Sequence, residues 1–134
     1  MLQAQRTRVI RREDWGPDMP LVRGEGTCTP IIWPGMGANA RSLHLLVLGP
    51  ASRTIRMRHP SEAVYYVVEG EAQITDHDTG SSQQLVAGSM AHVEPDTTYG
   101  IHTDAVGARI FGGPCPPDPA LYAPGLDDAL PKER

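Results

Sequence analysis

The sequence predicts an all-β fold, and three observations carry that prediction. Thirteen prolines and fourteen glycines punctuate the 134 residues. No window of a dozen residues holds a clean 3.6-residue apolar period, so helix is scarce. Short runs rich in β-branched and apolar residues alternate with turn chemistry such as Asp78-Thr79-Gly80-Ser81 and Glu94-Pro95-Asp96.

Taken in order, the predicted strands start with Thr7 to Ile10, a short β-branched run between arginines, and Thr29 to Trp33, which ends on two isoleucines and a tryptophan. Ser42 to Leu48 (SLHLLVL) and Ala63 to Glu69 (AVYYVVE) are the most apolar, with Thr54 to Arg58 between them. Ala72 to Asp76, Gln83 to Val86, Met90 to Glu94, Tyr99 to Thr103 and Ala108 to Gly112 complete the set. Many short strands at this spacing build a sandwich or a barrel.

The tail from Gly112 to Arg134 (GGPCPPDPALYAPGLDDALPKER) differs in kind. Its prolines forbid a central strand, and its helical candidates are short, around Pro119 to Tyr122 and Leu126 to Leu130. The tail is expected to wrap the outside of the fold. At the other end, Arg6, Arg8, Arg11 and Arg12 read either as an interface arm or as a charged edge strand. Residues 1–134 therefore form one domain, with a core over about residues 20–112, an arm over 1–19 and the tail over 113–134.

Composition excludes several function classes. With 40% hydrophobic residues, 21% charged residues and a net charge of -4, nothing basic marks a nucleic-acid partner. The arginine-containing N-terminus lacks an apolar stretch behind it, and no run approaches the ~20 apolar residues of a membrane span. A cytoplasmic location is the expectation. Cys28 and Cys115 lie far apart without a CxxC spacing and read as reduced structural thiols. The chain shows no nucleotide-binding glycine loop, nucleophile elbow or paired-carboxylate constellation.

Two segments carry a recognisable pattern. Gly49 to Ile74 (GPASRTIRMRHPSEAVYYVVEGEAQI) resembles the first motif of the cupin superfamily, and Gly88 to Thr103 (GSMAHVEPDTTYGIHT) resembles the second. The likeness keeps His59, Pro60 and Glu69-Gly70-Glu71 in the first motif, and Gly88 with the strand Ala91 to Val93 in the second. It implies a double-stranded β-helix, the jelly-roll barrel of small RmlC-like single-domain cupins. It also implies a small-molecule ligand or substrate and a homodimer made by pairing edge strands or swapping the N-terminal strand.

The departures bear on chemistry. The family's first motif histidine falls on Met57, its glutamate on Ala63 and its last histidine on Tyr99, so only His59 of the expected ligands stands in register. The fold alone fixes no reaction.

Strand alternation then builds the pocket. If His59 faces inward, so do Met57 and Ile55, while Arg56 and Arg58 face out. On the next strand Ala63, Tyr65 and Val67 face in and Tyr66 faces out toward another packing layer. In the second motif Tyr99, Ile101 and Thr103 face in and His102 faces out. The candidate catalytic residues are His59, Tyr65 and Tyr99, and the candidate substrate-binding walls are Met57, Ile55, Val67 and Ile101.

His59 suits proton abstraction near neutral pH, and Tyr65 or Tyr99 suits polarising an oxygen. The bland alternative is that the tyrosines fill the core with hydroxyls bonded to backbone.

Imidazole, phenol and thioether form a poor ligand set, so no cofactor is assigned. If one divalent ion (Fe, Zn, Ni or Mn) binds, its ligands are His59, Glu62 and Tyr99, with Glu62 turned inward by a bulge. Alternation places His92 and His102 on the wrong face; His77 sits in a solvated hairpin, and the facing of His44 stays open.

Three functions follow: an isomerase, cyclase or lyase using His/Tyr acid–base chemistry; a metal-dependent oxygenase or isomerase with rearranged ligands; or a non-catalytic small-ligand-binding protein.

Overall fold

The computed structural model describes residues 6–122. Nine strands follow in order: β1 (Val22–Arg23), β2 (Gly26–Ile32), β3 (Leu43–Leu48), β4 (Arg53–Thr54), β5 (Glu62–Asp76), β6 (Ser81–Val86), β7 (Met90–Val93), β8 (Tyr99–His102) and β9 (Ala108–Cys115). The helical content is three short 3₁₀ turns, at Arg12–Asp14, Pro34–Met36 and Pro119–Leu121. All pairings are antiparallel, along the path β1-β4-β8-β5-β9-β3-β2, with β6 and β7 also on β5. The result is a nearly closed barrel of two facing sheets.

Strand β5 belongs to both sheets, and a bulge makes this workable. Its first half pairs with β7 and β9, and its second half with β6 and β8. Ala63, Tyr65 and Val67 face the interior; the register then shifts against β9 between Val67 and Glu69, after which Ala72 is the buried residue. An extra residue at a bulge reverses which parity faces inward, and bends the strand. Gly70 sits there with φ +85°, and a Cβ at that position would lie 2.0 Å from the Gly107 carbonyl oxygen. Only glycine meets both demands.

Two separately predicted strands, Ala63 to Glu69 and Ala72 to Asp76, are thus one. Thr54 to Arg58 forms less than expected: β4 ends at Thr54, and Met57 makes an isolated bridge to Tyr99.

The predicted strand at Thr7 to Ile10 does not form. These residues are extended chain without a strand partner, and Val9 is 81% exposed. Arg8 instead donates to the Met36 carbonyl and so lays the arm on the Pro34–Met36 turn.

Larger corrections concern the tail. Strand β9 runs through Pro114 to Cys115, between β3 and the first half of β5, so a proline does occupy a central strand. The Pro114 carbonyl keeps two partners there, accepting from both the backbone N–H and the hydroxyl of Ser42. Beyond β9 the described residues, 116–122, do not wrap the outside. The Pro119–Leu121 turn plugs one end of the barrel, and Leu121, 2% exposed, joins the same apolar cluster as Met19, Leu46 and Ile110. Burying such a side chain is worth roughly 1.5–3 kcal/mol, enough to hold a short segment that pairs with no strand. The helical candidate at Leu126 to Leu130 lies outside the described residues.

Candidate functional site

The barrel interior gathers polar groups from five segments. His59 follows the Met57–Tyr99 bridge, and its carbonyl accepts from the Asp96 N–H at 2.7 Å, which fixes the backbone as it enters β5. Tyr65 comes from the middle of β5, Tyr99 from the start of β8, His44 from β3, and Asp118 from the tail.

Every residue predicted to face inward is buried: Ile55, Met57, His59, Ala63, Tyr65, Val67, Tyr99, Ile101 and Thr103. Tyr66 faces out as expected, yet no second layer covers it and it is half exposed.

Four of these side chains form one line. The Asp118 carboxylate lies 2.8 Å from His59 Nδ1; His59 Nε2 lies 2.9 Å from the Tyr99 hydroxyl; and the Tyr99 and Tyr65 hydroxyls are 2.6 Å apart. With Asp118 as the acceptor, Nδ1–H donates to it and Nε2 is left to accept. Tyr99 then donates to Nε2, and Tyr65 donates to Tyr99. Asp118 is held in turn by its other oxygen, which accepts from the Ala120 N–H and caps the turn.

Burial shapes the protonation states. It pushes the His59 pKa below its usual value, against the opposing pull of the Asp118 carboxylate, so the resting imidazole is neutral. Burial pushes both Tyr65 and Tyr99 well above the ordinary phenol range, and the neighbouring phenol raises Tyr99 further. Phenolates are therefore costly here.

His44 is lowered to about 4, by burial first and by His59 second. Its Nε2 is 2.6 Å from the Tyr122 hydroxyl, whose own pKa burial raises to about 12. Cys28, also raised to about 12 by burial, is an inert thiol by the same physics.

A small internal cavity of about 10 Å³ touches this network, room for about one water. It is lined by Tyr65, His44, Met57, Cys28, Gly112 and Leu121 among others. Gly112 leaves the space beside the tyrosine, since a Cβ there would stand 2.6 Å from the Tyr65 ring.

Of the candidate site residues, Tyr65 and Met57 line this cavity; His59, Tyr99, Ile55, Val67 and Ile101 are buried and are not among its lining.

The donor set does not fit a metal. Both nitrogens of His59 are engaged within the line, and His44 Nε2 is engaged by Tyr122. Glu62 does not turn inward: it is half exposed, with its carboxylate 3.1 Å from His92 Nε2 on the outer face. The bulge on β5 lies farther along, between Val67 and Glu69. Among the described residues no three His, Cys, Asp or Glu side chains gather as metal ligands.

Sequence reasoning missed Asp118, Tyr122 and the facing of His44. On β3 the residues His44, Leu45 and Leu46 are all buried, so alternation gives no inward side to choose. Nothing local in PCPPDPALY marks an aspartate that returns to a histidine 59 residues earlier.

This architecture is the cupin fold. Comparison with solved structures places the chain beside the polyketide cyclase RemF from Streptomyces resistomycificus, at TM-score 0.66 and 20% identity over 92% of this chain and 98% of that one. An RmlC-like cupin with a double-stranded β-helix from Methanocaldococcus jannaschii matches at TM-score 0.66 and 13% identity, covering 90% and 100%. An RmlC-like cupin from Shewanella frigidimarina matches at TM-score 0.63 and 19% identity, covering 87% and 95%. No family model and no curated protein matches the sequence. At these identities the likeness establishes the fold, and chemistry is left to the residues inside it.

Proposed function

We propose that this chain is a small-molecule enzyme of the isomerase, cyclase or lyase kind that works by proton transfer inside the barrel. The observation that carries the reading is the buried line Asp118–His59–Tyr99–Tyr65, whose last residue lines the interior cavity.

In the arrangement that Asp118 imposes, the Tyr65 oxygen donates into the line and keeps its lone pairs, on a residue that borders the cavity. A substrate proton taken by Tyr65 sends the Tyr65 proton to Tyr99 and the Tyr99 proton to His59 Nε2. Each hydroxyl loses one proton as it gains another, so no phenolate forms, as burial requires. The positive charge comes to rest on His59 beside the Asp118 carboxylate, where it is best compensated.

Return along the same line delivers a proton to a different substrate atom, which is an isomerisation or assists ring closure. Loss of a leaving group before the return makes the reaction a lyase. Tyr65 is the catalytic residue that touches substrate, His59 and Tyr99 carry the proton, and Asp118 positions His59. The likeness to a polyketide cyclase agrees with this class.

Deuterium uptake in D2O tests the reading, followed by proton NMR on a panel of small ketones, lactones and hydroxy acids. Wild type is expected to accelerate exchange at the carbon next to the carbonyl, and Tyr65→Phe or His59→Gln to slow it by about 100-fold or more. Exchange no faster than buffer throughout, or equal in wild type and both variants, rejects it.

A non-catalytic binding protein is the second reading, favoured by the closed interior. A ligand that raises the melting temperature without exchange would select it.

A further inference from the structure

The reactive line ends on a cavity of about 10 Å³, whereas small-molecule sites occupy about 300–1,000 Å³. What fills the difference is the tail. Leu121 lines the cavity itself, and next to it the Tyr122 ring packs on Trp33 at 5.3 Å and edge-on to His44 at 5.8 Å. The Tyr122 hydroxyl sits 2.6 Å from His44 Nε2. Immediately outside lies an open hollow of about 410 Å³, lined by Pro34, Asn39, Pro117, Pro119 and Tyr122. Two side chains thus separate an outer hollow from the barrel interior.

Side-chain packing, and not backbone pairing, holds these two residues. The segment pairs with no strand; its backbone bonds run within the turn, from Leu121 N–H to the Asp118 carbonyl and from Tyr122 N–H to the Pro119 carbonyl. Segments with few backbone bonds to the rest of a fold open at low free energy. The contacts that Tyr122 makes are those a bound small molecule would make: an aromatic face, an edge contact and one hydroxyl on a neutral imidazole.

We propose that Leu121 and Tyr122 stand in for the ligand, and that the barrel takes a small hydroxyaryl compound whose ring replaces Tyr122 against Trp33 and whose hydroxyl donates to His44. This rests on the reading of the barrel interior as a small-molecule site, and it names the chemical class that site accepts. Ligand entry and tail displacement are one event. With Tyr122 and Leu121 lifted out, the ring lies in a pocket whose wall includes Tyr65 and Met57. The tail is then a competitive inhibitor built into the chain, and its affinity sets the threshold for binding.

The test titrates the full chain with 2-naphthol and with 2-methoxynaphthalene, which has the same rings and no hydroxyl to donate. Binding is followed by calorimetry, by the amide NMR signals of Leu121 and Tyr122 and by the methyl signals of Leu121. Wild type is expected to bind 2-naphthol and to lose the native signals of both residues as it does. Tyr122→Ala removes the competitor and is expected to tighten binding at least tenfold; Tyr122→Phe, which keeps the ring and the packing, tightens it severalfold. The methoxy compound is expected to bind at least tenfold more weakly.

Equal affinity for the two compounds would overturn the hydroxyaryl assignment while leaving a small-molecule pocket in place. Failure of 2-naphthol to bind wild type and both variants, each folded by circular dichroism, would overturn the stand-in role; deuterium exchange persisting in those samples would show that the proton-transfer reading survives it. Binding as expected with no exchange on any substrate would do the reverse.

Discussion

The same pair of functional groups occurs twice in this barrel, on opposite sides of its wall. His59 and Asp118 meet at 2.8 Å with side chains 1% and 7% exposed; His92 and Glu62 meet at 3.1 Å with side chains 50% and 51% exposed. Distance hardly separates them, and solvent does. Water screens the outer pair and competes for its hydrogen bonds, so such pairs contribute about 0–1 kcal/mol. The inner pair has no water to fall back on, so each partner fixes the other's orientation. A histidine beside a carboxylate is therefore a site only where the fold removes the solvent, and the sequence around residue 60 offers one of each.

Acid should separate the two pairs most strongly. Burial depresses His59 and takes His44 to about 4, so the folded chain resists protonation that the unfolded chain accepts from about pH 6.5 downward. Stability from these groups is complete above pH 6.5 and falls as the pH drops toward 4. For His44 alone the loss is about 3 kcal/mol, at about 1.4 kcal/mol for each pH unit of difference. Urea melts between pH 7.5 and 4.5 check this, and His44→Phe should flatten the slope; a profile unchanged by that substitution would contradict it.

Breaking the inner pair directly comes next. Asp118→Ala removes a charge-assisted bond and the cap of the Pro119–Leu121 turn, for a loss of about 3 kcal/mol in denaturant melts. Asp118→Asn, which keeps the cap, should recover part of the stability but little of any exchange activity. At the far end of the line, Tyr65→Phe deletes one hydroxyl and leaves Tyr99 still donating to His59. It should lower stability by about 1 kcal/mol, far less than its effect on turnover. The smallest effect belongs to the outer pair: Glu62→Ala should move stability by less than about 0.5 kcal/mol and leave exchange rates unchanged. A large effect there would mean that exposure does not divide the two pairs.

Much of the barrel was legible because one face of most strands is buried and the other is not. Period-two alternation placed Met57, His59, Tyr65 and Tyr99 inside without any coordinates. Three things escaped. His44 lies on a strand where consecutive residues are buried, which erases the period. Pro114 escapes the rule against proline in a central strand by standing next to the last residue of β9, where the missing N–H interrupts only the end of the ladder. Asp118 and Tyr122 reach the site only because the chain turns back into the barrel after its last strand, a tertiary event with no local signature. The expected metal ligand Glu62 failed for a related reason: the phase change on β5 falls between Val67 and Glu69, too far along to turn it.

The direction of the inner hydrogen bonds has one more consequence. Asp118 only accepts and Tyr65 only donates into the line, so every proton between them points the same way. Passage of one proton inward reverses that polarity, and the line then holds a record of the event until a proton travels back out. On the proposed reading, a reaction that returns the borrowed proton to its own substrate resets the line for the next cycle. A reaction that hands the proton to solvent must reset it by rotating each hydroxyl in turn inside a packed core. Deuterium uptake therefore counts the turnovers in which the line has been reset through solvent, and the fraction of hydrogen retained between substrate and product counts those in which the borrowed proton went back.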